Sequence, residues 1–113
     1  MRWILPVCAA VLASCGDARV HVANKSSSEV SDVQLIARGT IVPVGVLTPG
    51  QERTVAVCPK GESSLMVKFR AAGKNHEAKA DTYFECDSFY ELYVAIKPDL
   101  SVTADYPKEW SAK

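Results

Sequence analysis

The chain has 113 residues, room for one domain, and its 13 basic and 13 acidic side chains cancel. That balance excludes the basic surplus a nucleic-acid binder needs to neutralise phosphates, and the basic patch of a polybasic membrane-surface protein. With 48% apolar and 23% charged residues, the composition is that of an ordinary globular domain.

The first segment stands apart. Met1-Arg2-Trp3 carries one positive charge, and "ILPVCAAVLA" then runs apolar over residues 4–13, interrupted only by Pro6. A short basic start, a short apolar core and small residues after it are the layout of a secretory signal. The run is too short to span a bilayer, which takes about 20 apolar residues. A buried N-terminal strand or helix is the alternative, and the sharp change of character after Ser14 speaks against it. The run ends on Leu12-Ala13-Ser14-Cys15, a branched apolar residue and two small residues before a cysteine. This motif resembles the lipobox of bacterial lipoproteins, and the resemblance covers residues 1–15. It implies a diacylglycerol on the Cys15 thiol, cleavage between Ser14 and Cys15, and acylation of the new amine. The partner is then the lipid bilayer, and the location is the periplasmic face of the bacterial envelope. One acyl chain anchors marginally and two or more anchor stably, at about 0.8 kcal/mol per buried methylene. In the lipoprotein sorting pattern an aspartate directly after the cysteine implies inner-membrane retention. Gly16 holds that place here, with Asp17 one further on, so the resemblance favours the outer membrane. The expected organisation is a cleaved signal at 1–14, a lipidated cysteine and short tether at 15–18, a β domain at 19–106 and a tail at 107–113. Loss of residues 1–14 removes Arg2 alone among the charges, so the mature chain carries a net charge of −1.

Beyond the tether the dominant signal is period-two alternation rich in β-branched and aromatic residues. "RVHVA" sets Val20 and Val22 on one face, with Arg19 and His21 on the other. "NKSSS" follows as a polar loop. "SDVQLIA" sets Val33, Leu35 and Ala37 on one face, and Arg38-Gly39 can close a hairpin. "TIVPVGVL" is apolar, but Pro43 cannot donate to a ladder, so an edge strand or a bulge is expected. Thr48-Pro49-Gly50-Gln51 has its proline and glycine where a type II turn wants them. "RTVAV" offers Val55 and Val57, and "CPKG" turns the chain. "SLMVKFRA" offers Leu65, Val67, Phe69 and Ala71 opposite Lys68 and Arg70. After the hairpin loop "AGKN", the segment "NHEAKAD" suits a weak, exposed strand better than a short helix. "YELYVAIK" offers Tyr90, Leu92, Val94 and Ile96, "KPDLS" makes a tight connection, and "LSVTADY" offers Leu100 and Val102. Short strands with turns at roughly ten-residue spacing predict an all-β domain: an antiparallel immunoglobulin-like β-sandwich of about seven or eight strands. A small up-and-down β-barrel is the alternative.

The lipoprotein resemblance sorts the four cysteines. Cys8 leaves with the signal and Cys15 is locked in a thioether. Cys58 and Cys86 remain as an even pair in an oxidising compartment, which implies a Cys58–Cys86 disulfide. A metal or redox pair fits poorly, because the chain has neither C-x-x-C nor clustered histidines.

No nucleophile motif is present: there is no G-x-S-x-G, and His21 lies on the polar face of the first strand and His76 in a charged hairpin. His76, Glu77 and Asp81 match no ligand spacing. No catalytic residue, cofactor or metal is expected. "TYFECDSFYE" gathers Tyr83, Phe84, Glu85, Asp87 and Phe89 around Cys86. These residues are either core rings or an acidic, aromatic contact surface for a protein partner. The expected function is a non-enzymatic protein-binding module, either an inhibitor or immunity protein against an envelope-targeting enzyme or an accessory of an envelope or secretion assembly. Binding of a small ligand or sugar is the alternative, and a hydrolase comes after it.

Overall fold

The alternation closes into eight strands: β1 (Ala18–Asn24), β2 (Val30–Ala37), β3 (Thr40–Leu47), β4 (Glu52–Val57), β5 (Ser63–Ala71), β6 (Lys74–Phe84), β7 (Glu91–Ile96) and β8 (Val102–Asp105). The structure, a computed structural model, describes residues 16–107. The cleavage at Ser14–Cys15, the acylation of Cys15 and the tail beyond 107 lie outside the described residues. One sheet has the order β4-β1-β7-β8 and the other β3-β2-β5-β6. They form an all-β sandwich rather than a closed barrel. An up-and-down barrel would place consecutive strands side by side, whereas β1 lies between β4 and β7. Neighbouring strands are antiparallel with one exception: β1 and β7 run parallel, with Val20 opposite Leu92 and Val22 opposite Val94. A parallel pair needs a long crossover. Here the crossover contains the whole second sheet.

The faces assigned from alternation point into one core. Val20, Val22, Val57, Leu92 and Ile96 of the first sheet meet Leu35, Leu47, Leu65, Val67 and Phe84 of the second, all without exposed surface. Two strands depart from period two, and each has a local cause. In β2 both Val30 and Val33 are buried, although they are three residues apart. A bulge at that point absorbs the extra residue, with Asp32 left-handed at φ 50°, a conformation aspartate tolerates better than most. In β3 Val44 and Leu47 are both buried across Gly45 at φ 96°. The edge position expected of β3 from Pro43 is observed. The segment "NHEAKAD" lies in the longest strand, β6, an edge strand that continues to the buried Ala80 and Phe84.

The open sides of the sandwich are protected. Exposed Lys74, Glu77, Lys79 and Asp81 line β6, and charged side chains discourage another strand from adding to that edge. The Arg53 guanidinium donates to the Val44 carbonyl, joining β4 to β3 across the sheets. The Tyr106 hydroxyl, just past β8, bonds the backbone of Tyr83 in β6.

Asn24, the last residue of β1, ties the loop that follows it to the end of β3. It is wholly buried, and its Nδ2 donates to the carbonyls of Ser28 (2.8 Å) and Leu47 (2.9 Å). Its Oδ1 accepts from the Ser26 N–H (3.0 Å) and the Ser26 hydroxyl (2.7 Å). Asn24→Ala strands these partners, and a buried group without a partner costs about 1–3 kcal/mol. Part of the loop can relax towards water, so the expected loss is about 2 kcal/mol, read from the urea midpoint at unchanged slope.

Candidate functional site

Four strand ends converge where the described chain begins: the start of β1, the end of β4, the end of β6 and the start of β7. The Cys58–Cys86 disulfide lies there, joining the end of β4 to the loop between β6 and β7 (S–S 2.08 Å). Cys86 Sγ is 3.9 Å from the Gly16 carbonyl oxygen and 3.5 Å from the Asp17 carboxylate. Ala18 is already buried in β1. Only Gly16 and Asp17 therefore separate position 15 from the first strand.

The five residues singled out around Cys86 divide. Phe84 is fully buried and belongs to the core, so it is withdrawn from the contact surface. The reason is the pleat: β6 turns Ala80 and Phe84 inward and Tyr83 outward. Tyr83 is 43% exposed and Phe89 61% exposed. Residues 85–90 are held by turns. The Phe89 N–H donates to Asp87 Oδ1 (2.9 Å), and the Tyr90 N–H donates to the Asp87 carbonyl (3.0 Å). Three rings meet edge to face, Tyr83 on Tyr90 at 6.1 Å and Phe89 on Tyr90 at 5.8 Å. Such contacts fix ring positions. The Tyr83 hydroxyl donates to the Glu85 carboxylate. That bond, with Glu62 nearby, raises the phenol's pKa well above its ordinary value. Among the described residues, no salt bridge neutralises Glu62, Glu85 or Asp87. The arrangement is a braced aromatic row with a negative rim, suited to contact with a cationic surface.

A second cluster lies on the outer face of the first sheet, where the sequence suggested only solvated polar side chains. His21 Nε2 is 2.7 Å from Glu91 Oε2 and Nδ1 is 2.8 Å from Thr54 Oγ1, while the ring stacks on Tyr93 at 4.5 Å. Arg19 reaches the same carboxylate at 3.8 Å. The parallel register of β1 on β7 creates this cluster by placing Arg19 opposite Glu91 and His21 opposite Tyr93. No local signal in the sequence carries that register. The cluster joins β4, β1 and β7 on one face.

The hydrogen bond from His21, helped by Arg19, holds the Glu91 pKa below the usual carboxylate value. A carboxylate lowered on folding stabilises the protein above its unfolded pKa, and that stability is lost as pH falls through the folded value. Glu91→Gln is therefore expected to destabilise by roughly 1 kcal/mol at neutral pH, and by progressively less below about pH 4. Urea titrations across that range check the convergence.

His76, Glu77 and Asp81 are not drawn into a ligand set: His76 stacks on Phe69 at 5.1 Å. The metal-capable group found among the described residues is Asp17 with Cys58 and Cys86. Its two sulfurs are bonded to each other, so neither is a thiolate.

No protein-family model matches the chain, and no curated protein matches it. The fold is similar to the NMR structure of a protein from Eubacterium rectale, at 10% sequence identity and a TM-score of 0.52 over 83% of this chain and 91% of that one. At such low identity the likeness shows a shared β fold.

Proposed function

We propose that the chain is a lipid-anchored protein of the bacterial envelope, on the periplasmic face and in the outer rather than the inner membrane. Its β-sandwich acts as a non-enzymatic binding module for another protein. The observation that carries this reading is the braced surface made by Tyr83 near the end of β6 and by Glu85, Asp87 and Phe89 in the loop after it, beside the disulfide, at the end of the domain where Cys15 joins it. Two residues, Gly16 and Asp17, reach at most about 7 Å. An acylated Cys15 would hold that loop next to the headgroups, so a partner must come to the membrane surface. The negative rim selects a partner with a basic surface. An inhibitor or immunity protein facing a cationic envelope-targeting enzyme meets that description, and so does an accessory of an envelope assembly.

Affinity capture of the acylated protein from its own envelope, with identification by mass spectrometry, tests the reading. Phe89→Ala should reduce recovery of the partner about tenfold or more, as truncation of an aromatic anchor does. Glu85→Ala with Asp87→Ala should lower recovery further at low ionic strength than at high. Recovery unchanged in both variants overturns this surface.

A further inference from the structure

Two turns at the tether end each present a cation and a glycine, Arg38-Gly39 between β2 and β3 and Lys60-Gly61 between β4 and β5. The Lys60 N–H donates to the Arg38 carbonyl at 2.8 Å, and the Arg38 N–H donates to Ser63 Oγ at 2.9 Å, so the two backbones are fixed together. The side chains cross. A methyl group built on Gly39 would stand 2.7 Å from Lys60 Cδ, and one built on Gly61 would stand 3.6 Å from the Arg38 guanidinium. The Lys60 stem thus lies over Gly39, and the Arg38 guanidinium reaches Gly61. Both glycines are left-handed, at φ 74° and 107°, which leaves the cleared space to residues without a Cβ.

Among the described residues neither Arg38 nor Lys60 enters a salt bridge. The neighbouring acid, Glu62, shares a surface depression with Arg38 and Lys79 without pairing to any of them. An arginine fork beside a lysine point charge is the chemistry that binds a phosphate group. The corner belongs to the same end of the domain as Gly16 and the disulfide. A chain attached to lipid through position 15 therefore carries it to the headgroup layer.

We propose that Arg38 and Lys60 form a seat for the phosphate of a membrane lipid, a second contact that sets how the domain stands on the bilayer. This rests on the acylation of Cys15 proposed above. The tether supplies the lipid source, because it keeps the effective concentration of lipid phosphate high.

Solid-state NMR on the acylated protein reads the contact directly. The protein, labelled at arginine Cζ and lysine Cε, is placed in phosphatidylcholine bilayers with an equal part of phosphatidylglycerol, in phosphate-free buffer. Dephasing by lipid ³¹P is expected to be several-fold stronger at Arg38 and Lys60 than at Arg70 and Lys74, which lie at the opposite end of the sandwich. Lys60→Gln should weaken the Arg38 signal at unchanged urea midpoint. The same protein in an alkyl maltoside with inorganic phosphate separates the sources, and dephasing there but not in bilayers overturns the lipid assignment. Equal signals at all four positions in bilayers, with Cys15 shown by mass to be acylated, overturn the seat and leave the anchor standing. A Cys15 without acyl groups removes the reading on which the seat rests.

Discussion

Replacing Cys58 and Cys86 together with serine is expected to lower the free energy of unfolding by about 3–4 kcal/mol. The bond closes a loop across a sequence separation of 28 residues. Its absence returns that loop's conformational freedom to the unfolded chain. Domains of this size are stable by about 5–15 kcal/mol in total, so the loss is a large share of the whole. The consequence is also local. Cys86 pins the segment that follows β6, and residues 85–90 carry the exposed Phe89 ring and the Glu85 and Asp87 carboxylates. The serine pair should therefore lose partner capture at temperatures where its β-sheet circular dichroism is still intact. Urea unfolding with and without reductant checks the first part: wild type in reductant should match the serine pair, and a midpoint indifferent to reductant contradicts it.

Phe84→Ala and Phe89→Ala should separate stability from contact. Phe84 is among the largest fully buried side chains and packs at the end of the core beside the disulfide. Removing a buried phenylalanine costs about 3–5 kcal/mol, because the cavity collapses only in part. Phe89 keeps 61% of its surface in water, and substitutions at such sites shift stability by about 0.5 kcal/mol or less. The expected pattern is a crossed one. Phe84→Ala moves the urea midpoint far and affects capture only through loss of folded protein. Phe89→Ala leaves the midpoint near wild type and removes capture. Because Phe84 is two residues from Cys86, its cost should not add simply to that of the serine pair.

The contrast between these two rings marks the limit of what the sequence conveys. Alternation places Val20, Val22, Leu65, Val67, Leu92 and Val94 in the core, because a strand with one buried face states its own pleat. Pro43 marks β3 as an edge strand through its missing N–H. Around Cys86 the apolar and polar residues do not alternate cleanly. Phe84 and Phe89 look equivalent until the length of β6 assigns the first to the pleat and the turn at Asp87 releases the second. Long-range register is silent in a different way. Nothing local states that β1 lies parallel to β7, and the Glu91 cluster follows from that pairing. The same holds for Arg38 and Lys60, 22 positions apart in the chain, which meet only because their turns share one end of the sandwich. The bulge at Asp32 hid Val30 from a period-two reading by shifting it to the wrong parity.

In the proposed arrangement a small β-sandwich is held by lipid at Cys15 with its braced contact loop against the bilayer. The intact mass of the protein extracted in detergent from its native envelope decides whether the anchor is there. The expected species is a chain that begins at Cys15 and carries a diacylglycerol on the thiol and an acyl group on the amine. A chain that retains residues 1–14, or one that begins at or near Cys15 without acyl groups, contradicts it.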